Sequence, residues 1–310
     1  LYNISDKEGY YLPTYFALTI FIGYGLHYLW QKNRYLTQLI SLLIIPIIVI
    51  NFPITCKKDN RSIEDLSSAI LEETMPGSIL FVDDFEMYFG LVYNQFTKGE
   101  GQQAILISDY WLKLPWYLSQ LKHFFPQLKI NPGLIDFVVE SERRLTGLTP
   151  IRYGEASKHM LKVVKRKIVD ENIDNRTIYL SFYDDSQWYQ DWEDYYLKTK
   201  GLIYQVTKGR AAHELFLISL PSPDKYQYKK LTEKNERYVA MRFAAAVNRL
   251  GIINVYKGNY KNAIENFNLA LKYYSDYSQV YKNLGFAYLN SGDTLNSQKD
   301  LEEILGITTE

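Results

Sequence analysis

Hydrophobic and polar positions are arranged in three different ways along this chain, and each arrangement predicts a different kind of element. At the front stand two uncharged stretches, Leu12 to Trp30 (LPTYFALTIFIGYGLHYLW) and Leu36 to Phe52 (LTQLISLLIIPIIVINF), separated by QKNRY. A helix needs roughly 20 apolar residues, and about 17 at the least, to cross a hydrocarbon core. Neither stretch keeps the polar stripe of a helix packed on a soluble core. Pro46 is tolerated inside a span, and Gly23 and Gly25 fit close helix packing. The pattern predicts a transmembrane helical hairpin over residues 1–53, with helices at about 12–30 and 36–52. An integral membrane protein follows, with the lipid bilayer as its first partner.

Between about residues 54 and 224 the pattern shifts to short β-branched runs alternating with helical periodicity. Ser62 followed by Asp65 has the form of a capping box, with Ile63, Leu66 and Ile70 at helical spacing behind it. The runs ILFV (79–82), AILIS (104–108) and TIYLSFY (177–183) are separated by helical stretches near 86–97, 116–125 and 154–171. LIYQV (202–206) and ELFLISL (214–220) close the region. Such alternation predicts an α/β domain, a mostly parallel sheet with flanking helices, its last two strands forming an antiparallel edge.

PSPD at 221–224 ends that pattern, and residues 225–310 are helical throughout. Leu250-Gly251 recurs as Leu284-Gly285 and Gly258-Asn259 as Gly292-Asp293, an offset of 34 residues. With Tyr260, Ala263, Phe267 and Ala270 this is the tetratricopeptide period. It predicts repeats at about 244–277 and 278–310, preceded by a helix from about Leu231 to Val239. Ser297 and Leu301 stand at the Ala and Phe positions of the second copy. Stacked repeats offer a concave surface, which predicts a protein or peptide partner there.

Charge adds little: 35 basic residues balance 35 acidic ones, so no field recruits nucleic acid. It also leaves orientation open. Lys32 and Arg34 in the hairpin turn oppose Lys57, Lys58 and Arg61 after the second stretch. The single Cys56 excludes an internal disulfide framework and a cysteine-based metal site. No phosphate-binding loop, nucleophile elbow or His-x-x-x-His pair occurs, and His27, His123, His159 and His213 stand apart.

Three apolar runs end in acids: Asp83-Asp84, Asp109 and Asp184-Asp185. In a parallel sheet these gather at the carboxyl edge, where open α/β sheets bind ligands. Trp111, Trp116 and Trp188 stand near as stacking surfaces. Asp83, Asp84, Asp109, Asp184, Asp185 and Trp111 are thus the candidate ligand-binding residues; the competing reading is that each acid caps the helix that follows. Lys158, Lys162, Lys165, Arg166 and Lys167 form a basic helix face whose simplest reading is solvation.

Several segments, in order, carry a resemblance: Asp6 and Tyr10-Tyr11-Leu12-Pro13 leading into the first apolar stretch, PGSILFVDD (76–84), ILISDYWLKLPWYLSQL (105–121), RTIYLSFYDD (176–185) and GLIYQV (201–206). Together they resemble the C-terminal part of polytopic GT-C-type O-mannosyltransferase-like membrane proteins, some of which carry a tetratricopeptide tail. The resemblance implies that the complete protein is a glycosyltransferase using a polyprenyl-phosphate sugar donor, in a bacterial inner membrane or an ER-like membrane. It implies soluble domains on the extracytoplasmic side that recognise an acceptor or partner. The catalytic acid of such enzymes lies in an early loop, so no catalytic residue, metal or cofactor is expected in this fragment. The alternative is a non-enzymatic membrane-anchored tetratricopeptide scaffold.

Overall fold

A mixed five-stranded sheet with helices on both faces organises the larger part of the chain. The computed structural model describes residues 12–38, 40, 42, 46, 61–101, 103–145, 148–181, 194–209, 220–225 and 234–292. Two compact units result, Leu1–Asn60 and Arg61–Glu310.

In the first unit, helix α1 (Leu12–Lys32) has 21 residues. Its Gln31 side chain meets His27 at 3.1 Å. Asn33 then starts a new turn, its side-chain oxygen accepting from the Leu36 amide at 3.1 Å. Among the described residues no helix is long and apolar enough to cross a membrane. Helix α1 has the length but not the apolarity, because Thr14, Thr19, Gly23, Gly25 and His27 dilute its aliphatic positions. Most of the expected second span, 36–52, lies outside the described residues. The membrane hairpin, and the integral-membrane location drawn from it, are corrected accordingly.

The second unit begins with α2 (Ser62–Glu73), with Arg61 at the cap position and Ser62 inside the first turn. Strand β1 (Ile79–Val82) leads to α3 (Phe85–Tyr93), which runs on as a π-helical turn, Asn94–Lys98. Then come β2 (Ile105–Ser108), α4 (Pro115–Phe124), α5 (Pro132–Leu145) and α6 (Pro150–Asn172). Strands β3 (Ile178–Leu180), β4 (Tyr196–Thr199) and β5 (Tyr204–Thr207) complete the sheet. The helical end consists of α7 (Lys234–Tyr256), α8 (Tyr260–Tyr273) and α9 (Ser278–Ser291).

The strand order is β2-β1-β3-β5-β4. Strand β1 pairs in parallel with β2 and β3, whereas β5 is antiparallel to both β3 and β4. The sheet is therefore mixed rather than mostly parallel. The antiparallel edge is the tight hairpin 196–207, and the expected strand at 214–220 lies, but for Leu220, outside the described residues. Side-chain alternation divides the core into two. Ile79, Phe81, Ile105, Ile107, Ile178 and Leu180 face α4, α5 and α6. Leu80, Val82, Leu106 and Tyr179 face α2 and α3, and this same core continues into α7, α8 and α9.

The segment expected as a separate helix at 231–239 is, from Lys234 onward, the start of the continuous α7. Gly251 lets α8 approach closely: a β-carbon there would lie 2.4 Å from the Phe267 ring. Ala263, Phe267 and Ala270 are fully buried in the α7–α8 contact.

Candidate functional site

The chain runs from β1 to β2 on one side and returns to β3 on the other, so the carboxyl ends of β1 and β3 mark the switch point of the topology. Asp83 stands there and accepts a hydrogen bond from the Ser181 hydroxyl at 3.0 Å. Asp84 caps α3, accepting from the Met87 amide at 2.7 Å, so the capping reading holds for this residue. Asp109, after β2, turns inward and meets the Lys165 ammonium at 2.5 Å. Asp184, Asp185 and Trp188 lie outside the described residues. Among the described residues no group of three His, Cys, Asp or Glu side chains is placed to hold a metal ion.

The Asp109–Lys165 pair is the most deeply buried charge pair at this edge, with side-chain exposures of 5% and 2%. Burial pushes the Asp109 carboxyl up, and the adjacent Lys165 opposes the shift. The ammonium also lies 5.2 Å from the centre of the Phe81 ring. Asp109 Oδ1 has no hydrogen-bond partner among the described residues. Lys165 is thus not part of a solvated basic face. One signal was available: Leu161, Ile168 and Val169 flank it at helical spacing, placing the lysine within an apolar stripe. Arg166, one position on, is held outward by Asp170 at 2.9 Å and Asp194 at 2.8 Å.

Helix α7 contributes two residues that no local pattern announces. Burial pushes the Tyr238 phenol up, the charges of Asp84, Asp83 and Glu86 push the same way, and Arg242 opposes them. Arg242 is 2% exposed and donates to the Leu202 carbonyl at 3.3 Å. These side chains come from a distant part of the chain, and only the tertiary fold brings them near the β1 acids.

The acids do not converge, but the aromatic residues do. A cleft of about 600 Å³ opens beside the outer strand β2, walled by α3 and its π-helical turn on one side and by α4 on the other. None of its thirteen described lining residues is charged. Trp111 and Trp116 stand with ring centres 6.2 Å apart and planes tilted by 49°. Trp111 also makes edge contacts with Phe85, Tyr88, Phe89 and Tyr117. Of the predicted site residues that the structure describes, Trp111 alone lines this cleft. Tyr117 spans its floor: its hydroxyl accepts from the Ser108 amide at 2.9 Å and bonds the Tyr88 hydroxyl. Burial and the neighbouring Tyr88 push the Tyr117 phenol up, which keeps it protonated. Trp116 is half exposed and the Gln120 side chain also faces the cleft. Such a surface binds by stacking, apolar contact and neutral hydrogen bonds.

No protein-family model, curated protein or solved structure matches this chain.

Proposed function

We propose that the Arg61–Glu310 unit is a recognition unit, holding an uncharged segment of an acceptor or partner in the aromatic cleft. One observation carries this reading: a concave site of about 600 Å³, rich in aromatic rings and without a charged residue among its described lining. That size falls within the usual range for ligand sites. The acids that first pointed to a polar site are engaged elsewhere, Asp84 in a helix cap and Asp109 in a buried ion pair. Catalysis by that pair is disfavoured because its two charges are engaged with each other in the core and neither residue lines the cleft. The resemblance to glycosyltransferase-like proteins is consistent with an acceptor-recognition role but adds no chemistry at these residues.

Partner binding through the helical repeats is the second reading, favoured by exposed Tyr256, Phe286 and Leu289. The cleft ranks above it because it is concave and already formed.

The test is direct. Intrinsic tryptophan fluorescence of the full chain is titrated with an uncharged capped peptide and with a neutral oligosaccharide, for the native protein and for W116A. The expected outcome is saturable quenching by one of the two, weakened about tenfold or more in W116A. Equal binding by W116A and the native chain rules out the cleft.

A further inference from the structure

The outer edge of β2 has an unusual pattern of satisfied and unsatisfied main-chain groups. Ile105 and Asp109 donate to Ser78 and Val82, both at 2.8 Å, so the odd-numbered residues bond to β1. Ala104, Leu106 and Ser108 therefore direct their main-chain groups to the opposite side, and β2 is the terminal strand there among the described residues. Two of the three are fully occupied. Ala104 donates to the Gly101 carbonyl at 2.9 Å and accepts from the Gln95 side chain at 2.9 Å. Ser108 donates to the Tyr117 hydroxyl at 2.9 Å and accepts from the Trp111 amide at 3.2 Å.

Leu106 differs. It is 5% exposed and lines the cleft, yet no hydrogen bond from the described residues reaches its outward N–H and C=O. Buried main-chain groups are seldom left without partners. The side chains of Gln95 and Tyr117 close the edge on either side, so the opening is one residue wide.

We propose that this opening receives one residue of an uncharged, extended peptide, which pairs antiparallel with Leu106 and exchanges both hydrogen bonds with it. A single antiparallel hydrogen-bonded pair is closed by two such bonds, which matches the one donor and one acceptor on offer. Addition of a strand to a free sheet edge is a general mode of peptide recognition. The side chain opposite Leu106 enters on the α3 side beside Tyr88 and Val92, and its two neighbours enter on the α4 side beside Trp116 and Leu121. The uncharged lining selects against acidic and basic side chains, whose desolvation it does not repay. This proposal rests on the recognition reading and names its ligand class.

The probe is acetyl-Ser-Phe-Val-Phe-Ser-amide, compared with the same peptide N-methylated at valine, with maltotetraose as a neutral sugar control. Uniformly labelled protein of these 310 residues is followed by the Leu106 amide resonance, its hydrogen exchange and the indole signals of Trp111 and Trp116. The expected result is that the parent peptide shifts the Leu106 amide, slows its exchange about tenfold, and binds about tenfold more tightly than the N-methyl form. Equal binding of the two peptides, or binding that leaves the Leu106 amide unmoved, overturns strand pairing. If maltotetraose alone perturbs the indoles, strand pairing falls and the recognition reading stands. If neither ligand does, both fall. All of these arms use the native protein, so none depends on a variant that fails to fold.

Discussion

Glu73 shows how a single buried carboxyl ties sequence-distant parts together. Its two oxygens accept from the Leu202 amide at 3.2 and 2.9 Å, at the tip of the β4–β5 hairpin. Gly201 beside it has φ +90, and a β-carbon there would lie 2.3 Å from a Glu73 oxygen, so only glycine fits. Arg249 donates to the Gly201 carbonyl from α7. Burial is the largest influence and pushes Glu73 from 4.5 up to about 8, against the Leu202 and Ile203 amides, Arg249 and Lys200. The folded state thus keeps a proton that the unfolded chain releases above 4.5, so stability falls as pH rises towards 8. The loss is on the order of a few kcal/mol. Thermal melts of the native chain at successive pH values will show a falling midpoint across this window. E73Q keeps an acceptor for Leu202 and has nothing to ionise, so its midpoint should follow a flatter course and exceed the native one at pH 9. A native midpoint that rises across the same window contradicts the assignment.

The Asp109–Lys165 pair obeys a different logic at the same scale. Removing one partner leaves a charge stranded in the core and costs about 3–5 kcal/mol, whereas replacing both by apolar side chains is far milder. K165M is expected to lose stability by about that amount in urea unfolding, and D109L/K165M to recover most of it. Additive losses would mean that the two side chains are not coupled.

At the scale of elements, what was legible followed from local pattern. The apolar runs 79–82, 104–108 and 177–183 contain β1, β2 and β3, because short buried runs rich in β-branched and aromatic residues between polar turns have little alternative. The Leu-Gly repeat placed the α7–α8 contact for the same reason: Gly251 and Phe267 are complementary. Helix α5 was not legible, since its apolar residues bunch at 134–139 and the polar run ESERRL follows, leaving Leu145 as the one buried position in the second half. Nor was β4, in which Tyr196, Leu197 and Lys198 stay partly exposed and pairing to β5 holds the strand. The cleft was half legible. Its tryptophans stand out in the sequence, but the free Leu106 edge depends on strand order. The helix packing also gives a prediction. G251A adds helix propensity worth about 1 kcal/mol, yet it drives a methyl group into a buried ring at 2.4 Å. Overpacking of this kind costs about 1–3 kcal/mol. The variant should therefore melt a few degrees lower, and a higher midpoint would show that Phe267 can yield.

At the scale of the whole molecule, the change of pattern at Pro221 marks a change of secondary structure and not of core. The face of the sheet bearing Leu80 and Tyr179 shares one buried cluster with Phe243, Phe267 and Leu284 of the helical end. The Tyr273 hydroxyl donates to the Pro221 carbonyl at 2.5 Å, fastening the connecting segment to α8. Phe243 is fully buried with its ring centre 5.7 Å from that of Tyr273, between the two halves of the cluster. Residues that share a core unfold together. F243A removes a buried ring and should cost about 3–5 kcal/mol. Native-state hydrogen exchange distinguishes the possible consequences. With one cooperative core, the most protected amides of β1 and of α8 lose protection by the same free energy. With an independent helical array, α8 loses it and β1 does not. The shared cluster leads us to expect the first outcome, and a β1 left unchanged by F243A would show that helices α7 to α9 lean on the sheet without being part of its folding unit.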